Sequence, residues 1–207
     1  MSEEYWSAVR GVRLGIAHQL ESLDPHEWDA LSLCEGWRVR DVAGHLALVP
    51  TITTRDMMSV APRAGFNPNR VNTILAIRNG SRPPDQIVQE IRDHANDRHT
   101  AKVLDVRNTL FDAIVHSQDI ALPLGREFSV PAELARDALD RVWGMGWPFN
   151  ARRRLAGHAL TANDVEWSVG TGPEIRGSAL TLLLLLTGRT STALPSLTGS
   201  GVEDLSA

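Results

Sequence analysis

One long segment, residues 104–121, constrains the fold more than any other part of the sequence. At helical spacing it is apolar around most of its circumference, and we predict that it forms a single helix. Its apolar side chains are Leu104, Leu110, Phe111, Ile114, Val115 and Ile120. A helix of this kind is buried on more than one side, so other helices must surround it. The sequence therefore predicts a mainly α-helical fold built around this segment.

Two ionisable residues, Asp112 and His116, interrupt this apolar helix. They are four residues apart, which brings their Cβ atoms to about 5–6 Å of each other on one helical face. A buried carboxylate needs a partner or a metal, and Asp112 has no lysine or arginine three or four residues away. We favour a metal ligand over the alternative, a carboxylate hydrogen-bonded to a neighbouring helix. Asp119 could accept a hydrogen bond from a ligand histidine and fix its tautomer, although a polar residue in the last helical turn fits equally well.

A third candidate ligand, His45, lies on another predicted helix, which begins near Arg38. The apolar face of this helix consists of Val39, Val42, Ala43 and Leu46. His45 borders that face, and taken alone it is more often a core or boundary histidine than a ligand. If the two helices pack together, His45, Asp112 and His116 form a site of two nitrogens and one oxygen with an open fourth position. An open position distinguishes a catalytic zinc-type site from a closed structural one.

The remaining sequence predicts more helices, after which the spacing of apolar residues changes from a helical to an extended pattern. Amphipathic spacing indicates helices over residues 4–23, from Val71, from Pro84 and from Pro131. Short extended segments follow at 155–161 and 165–169, and a leucine-rich helix ends at Gly188. We therefore divide the chain into a helical bundle over 1–149 and a small C-terminal α/β appendage over 150–207.

Charge and composition exclude several classes of protein. The net charge is −4 and the longest basic run, Arg152 to Arg154, has three residues, which disfavours a DNA-binding regulator and any nucleic-acid partner. The most apolar run, Leu182 to Leu186, is far shorter than the ~20 residues of a membrane span. The N-terminus lacks the basic and then apolar pattern of a signal peptide. We therefore expect a cytoplasmic protein without a membrane partner.

The sequence contains one cysteine, Cys34, which excludes an internal disulfide. A nucleophilic cysteine needs a base beside it, and no histidine and aspartate stand near Cys34 at a recognisable spacing. A buried structural thiol is therefore the favoured interpretation.

Three stretches resemble motifs of a known family. Residues 34–46 resemble the second-helix signature of the mycothiol-dependent maleylpyruvate isomerase family, which belongs to the DinB-like superfamily of four-helix metal-binding proteins. Residues 112–119 are similar to its second metal motif, and residues 167–189 to its C-terminal region. The resemblance implies a DinB-like four-helix bundle, a divalent metal that is usually zinc, and mycothiol as the thiol cosubstrate.

The resemblance also implies roles for individual residues. His45 and His116 fall on ligand positions, whereas Asp112 stands where the isomerases have glutamate. Aspartate is one methylene shorter, so the metal must lie closer to this helix or be held more loosely. Arg176 and Arg189, in the C-terminal motif, are candidate catalytic residues that would bind acidic groups at the mouth of the cavity. A purely solubilising role for the two arginines fits the sequence equally well.

These observations lead to one hypothesis and two alternatives. A metal held by two imidazoles and a carboxylate would deprotonate a bound thiol near neutral pH. We therefore predict a maleylpyruvate isomerase-like enzyme or mycothiol S-transferase that attacks a small electrophilic, acidic substrate through a metal-bound thiolate. The alternatives are a non-catalytic, stress-associated DinB-like metal-binding module and a metal-dependent hydrolase. The expected partners are the small-molecule substrate and a low-molecular-weight thiol, and a homodimer is left open.

Overall fold

The computed structural model describes residues 2–98 and 100–206. The helices of the first part are α1 (Glu3–Glu21), α2 (Val39–Leu48), α3 (Thr54–Val60), α4 (Pro68–Gly80), α5 (Pro84–Asp93) and α6 (Thr109–Ala121). The later elements are α7 (Ala132–Gly144), α8 (Ala151–Arg154), β1 (Ala159–Ala162), β2 (Ser168–Gly170), β3 (Glu174–Gly177), α9 (Ala179–Leu186) and α10 (Thr190–Ala193). None of the helices in the described chain combines the length and apolarity that a membrane span requires.

Four helices of the first unit, which ends at Phe128, form a closed bundle. Helices α1 and α2 each pack against both α5 and α6. Fully buried side chains on three of these helices contribute to the core: Ile16, Leu20, Ile87, Ile91, Ile114 and Ile120. The predicted four-helix bundle is therefore confirmed, with α6 as one of its members.

Helix α6 is shorter than predicted. It begins at Thr109, after a single 3-10 turn over Val106–Asn108, and Leu104 is 42% exposed. The Asp105 carboxylate accepts a hydrogen bond from the backbone N–H of Arg107 at 3.0 Å and so holds this turn. The apolar pattern before residue 109 therefore belongs to the connection from α5, where a side-chain cap decides the local conformation.

Helix α4 packs against α2 through direct backbone contact at two glycines. A Cβ atom added to Gly80 would lie 2.6 Å from the carbonyl oxygen of Arg40, and one added to Gly44 would overlap the backbone of Gly80. The Arg40 guanidinium then donates to the carbonyl oxygen of Gly80 at 2.7 Å. Since His45 follows Gly44 directly, this contact also sets the position from which His45 reaches the bundle.

A buried cation, Arg13, ties α1 to the chain that follows α5. Arg13 is 5% exposed, and its Nη1 donates to the carbonyl oxygens of His94, Ala95 and Asp97 at 3.2, 3.3 and 2.8 Å. Burial lowers the pKa of Arg13, while the nearby Asp97 carboxylate raises it. The guanidinium thus joins α1 to three carbonyl groups of the chain that follows the last residue of α5.

The second unit, from Ser129 onward, includes the residues predicted as the α/β appendage, 150–207. Its sheet has the order β2–β1–β3, with β1 antiparallel to β2 and parallel to β3. Each of the two extended segments expected from the sequence overlaps a strand, but β3 was not predicted. It is four residues long with only Ile175 as a large apolar residue, and it pairs in register with Leu160 of β1. Such a strand is specified by its partner and not by a local pattern.

The boundary between the units differs from the expected division at residue 149. Helix α7 packs against α9, and the contacts therefore divide the chain after Phe128. The amphipathic pattern of α7 resembles that of the bundle helices, because one apolar face is compatible with either partner. This is why the sequence assigned α7 to the bundle.

We expect Gly44→Ala to lower the free energy of unfolding by about 1–3 kcal/mol, because the added methyl group overpacks the contact between α2 and α4. Gly11→Ala is the matched control, since a Cβ atom there meets nothing within 4 Å. It should raise the stability by up to ~1 kcal/mol through helix propensity. Urea unfolding of both variants measures the difference, and equal shifts would contradict the close approach of the two helices.

Candidate metal centre

Helix α6 presents its two candidate ligands at the only positions of this helix that are not fully buried. All its other residues are buried, whereas the side chains of Asp112 and His116 are 27% and 12% exposed. An apolar helix surrounded on every other side keeps these two groups in a fixed orientation. The unusual composition of α6 therefore has a structural explanation, which is a partly accessible polar position within a buried helix.

His45 reaches the same position from α2. Its Nε2 lies 3.3 Å from Oδ2 of Asp112, and the other oxygen of Asp112, Oδ1, lies 3.6 Å from Nε2 of His116. The ring centroids of the two histidines are 4.8 Å apart. The structure thus brings together the three residues that the sequence singled out, although 67 residues separate His45 from Asp112.

The three side chains fit a divalent metal. Tetrahedral zinc with bonds of about 2.0–2.2 Å places nitrogen and oxygen ligands about 3.3–3.6 Å apart, which agrees with the separations of Asp112 from both histidines. One ligand atom from each residue lies within 4.8 Å of the others. Asp112 directs one oxygen toward each imidazole, so the shorter side chain still spans both ligands.

A buried carboxylate, Asp119, fixes the ring of His116. Its Oδ2 lies 2.8 Å from Nδ1 of His116, and the residue has no exposed surface. A carboxylate at this distance accepts a hydrogen bond from Nδ1–H of His116, and Nε2 of the same ring then faces His45 and Asp112. The contact that the sequence suggested for Asp119 is present, and it selects the tautomer that a metal ligand requires.

The indole of Trp37 packs against both imidazoles. It stacks on His116 with 6.3 Å between ring centroids and 15° between planes, and it lies 5.7 Å from the ring of His45. Its Nε1–H donates to the hydroxyl of Thr73 on α4 at 3.4 Å. Trp37 is 7% exposed, so it closes one side of the cluster to water and restricts rotation of both rings.

Cys34 has the histidine and aspartate neighbours that the sequence did not reveal. Its Sγ lies 3.6 Å from Nδ1 of His116 and donates to Oδ2 of Asp119 at 3.1 Å. The backbone N–H of Leu33 also donates to the carbonyl oxygen of Asp119 at 3.2 Å, which holds the loop against α6. The sequence favoured a buried structural thiol, whereas the structure places a partly exposed Cys34 beside a histidine and an aspartate. These contacts span more than 80 residues of sequence, and the only signal was that Cys34 and His45 share one motif.

The charges around His116 determine its protonation. Burial alone would lower the pKa of His116, but Cys34, Asp112 and Asp119 favour the imidazolium and together raise the pKa well above its ordinary value. In the absence of a metal, a proton on His116 therefore compensates the negative cluster.

The two candidate catalytic arginines belong to the second unit. Arg176 lies on β3 and pairs with Glu174 at 2.7 Å, and Arg189 precedes α10 and donates to the carbonyl oxygen of Thr187 at 2.7 Å. Both of these contacts are made to residues of the second unit. Their proposed action on a substrate stays a prediction.

Comparison with known proteins finds one family model and two solved structures that resemble this chain. Residues 10–102 match the protein-family model of the mycothiol maleylpyruvate isomerase N-terminal domain. Two solved structures, the mycothiol-dependent maleylpyruvate isomerase and a histidine-to-alanine mutant of it, each superpose with a TM-score of 0.62 at 16% and 14% identity. Each superposition covers 96% of this chain and 92% of that chain. No curated protein matches the sequence significantly.

The matched residues include the motif at 34–46, on which the resemblance was based, and the structural match extends over α6 and the second unit. Both therefore confirm the resemblance. Residues 10–102 thus match the mycothiol maleylpyruvate isomerase N-terminal domain model, and the chain shares the DinB-like fold of the solved mycothiol-dependent maleylpyruvate isomerase.

Proposed function

We propose that the chain is a metal-dependent and mycothiol-dependent enzyme, an isomerase or thiol transferase acting on a small electrophilic substrate. The observation that carries this proposal is the convergence of His45, Asp112 and His116, with one oxygen of Asp112 directed toward each imidazole. The family match over residues 10–102 supports mycothiol as the thiol. Two nitrogens and one oxygen suit zinc, which we propose as the metal.

The residues of the cluster have distinct tasks in such an enzyme. A divalent metal held by the three ligands would supply the positive charge that stabilises a thiolate near neutral pH. Asp112 contributes the one negative charge among the ligands, so the centre keeps a net positive charge that favours an anionic sulfur. Asp119 keeps Nε2 of His116 available, and Trp37 excludes water from one side of both rings.

The reaction follows from thiolate chemistry. The thiolate sulfur adds to one carbon of an activated carbon–carbon double bond, and the displaced electron pair moves onto the neighbouring electron-withdrawing group. In an isomerase the carbon–carbon bond, now single, rotates, the electron pair returns and the carbon–sulfur bond breaks to release the thiolate. In a transferase the adduct takes up a proton and leaves with the sulfur attached. We also propose that Arg176 and Arg189 bind acidic groups of the substrate or the thiol, and that the enzyme works in the cytoplasm, where thiols are kept reduced.

The decisive experiment measures metal content and activity together. We expect roughly one metal ion per chain in the wild-type protein and none in His116→Ala, because two remaining ligands hold zinc poorly. With mycothiol and a panel of small electrophiles, the wild-type protein should be active and His116→Ala inactive.

His18→Ala is the matched control, since His18 is an exposed residue of α1 and should leave both quantities unchanged. Equimolar metal in His116→Ala would refute the proposed centre. Activity on esters or amides without any thiol would instead support a hydrolase that uses the same ligands to activate water. Metal that alters only thermal stability would support the non-catalytic module.

Replacing Asp119 by asparagine should weaken metal binding about 10–100-fold while the helices stay folded, because the amide cannot hold the Nδ1 proton of His116 as a carboxylate does. A titration against a chromophoric chelator measures the affinity, and circular dichroism measures the helix content. An unchanged affinity would show that the contact between Asp119 and His116 does not support the metal site.

Metal affinity should rise with pH over a range that extends above the ordinary pKa of histidine, about 6.5. The metal must displace the proton whose pKa on His116 is raised, so binding is weak while that proton is present. The metal-free protein should behave in the opposite way. Its stability gains from the protonated His116 below the ordinary value and loses this gain as the pH rises through the raised pKa. Thermal unfolding with and without zinc across this pH range tests both predicted pH dependences. Parallel stability profiles of the two forms would contradict the assignment of His116 as a metal ligand.

A further inference from the structure

We infer that Cys34, His116 and Asp119 form a second metal site, one that takes thiophilic divalent ions such as cadmium. It shares His116 with the proposed centre but uses the opposite ring nitrogen. This inference goes beyond the proposed function and does not depend on it, because neither Cys34 nor Asp119 is a ligand of the first site.

The ligand atoms of this second set converge closely. Sγ of Cys34 lies 3.6 Å from Nδ1 of His116, and both lie near Oδ2 of Asp119, at 3.1 and 2.8 Å respectively. Metal bonds of about 2.3 Å to sulfur and 2.0–2.2 Å to nitrogen and oxygen place tetrahedral ligands about 3.3–3.6 Å apart. The two shorter separations are hydrogen bonds, and they would widen by about 0.2–0.8 Å when zinc replaces the protons, and by more for the larger cadmium ion.

The chemistry of the three groups selects a soft ion. A thiolate prefers zinc, cadmium and similar thiophilic metals over hard cations such as magnesium, and an imidazole nitrogen and a carboxylate complete a mixed set. Binding releases the thiol proton of Cys34 and the Nδ1 proton of His116, while Nε2 carries the remaining ring proton. Cys34 is partly exposed, so an ion can reach the set even though Asp119 is fully buried.

A metal ion in one site prevents a metal ion from binding in the other. A neutral imidazole offers one nitrogen to a metal, so His116 serves the first site through Nε2 or the second through Nδ1. A thiophilic ion bound to Cys34 and His116 therefore leaves the first site with two ligands, His45 and Asp112. The second site makes the protein sensitive to such ions at a position about one imidazole ring away from the proposed centre.

Cadmium titration of the metal-free protein tests this inference. Cys34 is the only cysteine of the chain, so any thiolate-to-cadmium absorption in the ultraviolet has a single source. We expect the absorption to saturate at one cadmium ion per chain in the wild-type protein and to be absent in Cys34→Ser. Asp112→Asn is the matched control. It removes a ligand of the first set alone and should keep the absorption, whatever becomes of the proposed enzyme activity.

Two further variants separate a built site from an isolated thiol. Asp119→Asn and His116→Ala should each weaken the cadmium binding reported by this absorption by roughly tenfold or more. Unchanged affinity in both variants would mean that Cys34 binds cadmium alone, and the inference would be wrong. Saturation at half an equivalent would indicate an ion bridging two chains and would overturn it equally, as would the lack of any absorption in the wild-type protein.

Discussion

The hydrogen bond between the Asp119 carboxylate and Nδ1 of His116 is the interaction on which the cluster depends. Both residues lie on α6, where every residue except Asp112 and His116 is buried, so packing of the helix limits the movement of either group. A buried carboxylate with a strong donor is stable in this position, whereas one without a donor would be costly. Through this contact one ring nitrogen is committed to the protein interior, and the other is directed toward His45 and Asp112.

The three side chains come together only if α2 is positioned so that His45 faces Asp112 and His116 on α6. The glycine contact between α2 and α4 does this from the outside, since it allows two helix backbones to approach more closely than any side chain permits. Trp37 does it from the inside by packing against both imidazoles and anchoring to α4 through Thr73. His45 is thus positioned by contacts on either side of its own helix.

Much of this arrangement could be predicted because it follows from local pattern. The all-round apolar character of α6 indicated a buried helix, and the spacing of Asp112 and His116 within it placed two polar groups on one face. Cys34 and β3 could not be predicted in this way. The contacts of Cys34 join distant parts of the chain, and β3 is specified by its pairing with β1. The contact-based division after Phe128 differs from the expected one at residue 149, since the pattern of α7 does not reveal which partner covers its apolar face.

The buried Arg13 has a consequence for how the protein responds to acid. A guanidinium remains charged at every pH that a cell encounters, so its hydrogen bonds to the three carbonyl oxygens after α5 do not titrate. Protonation of His116 does depend on pH, and its raised pKa favours the imidazolium. Mild acidification should therefore disfavour the metal proposed for this site while the connection between α5 and α6 stays anchored to α1, and returning to neutral pH should restore the site on an intact scaffold.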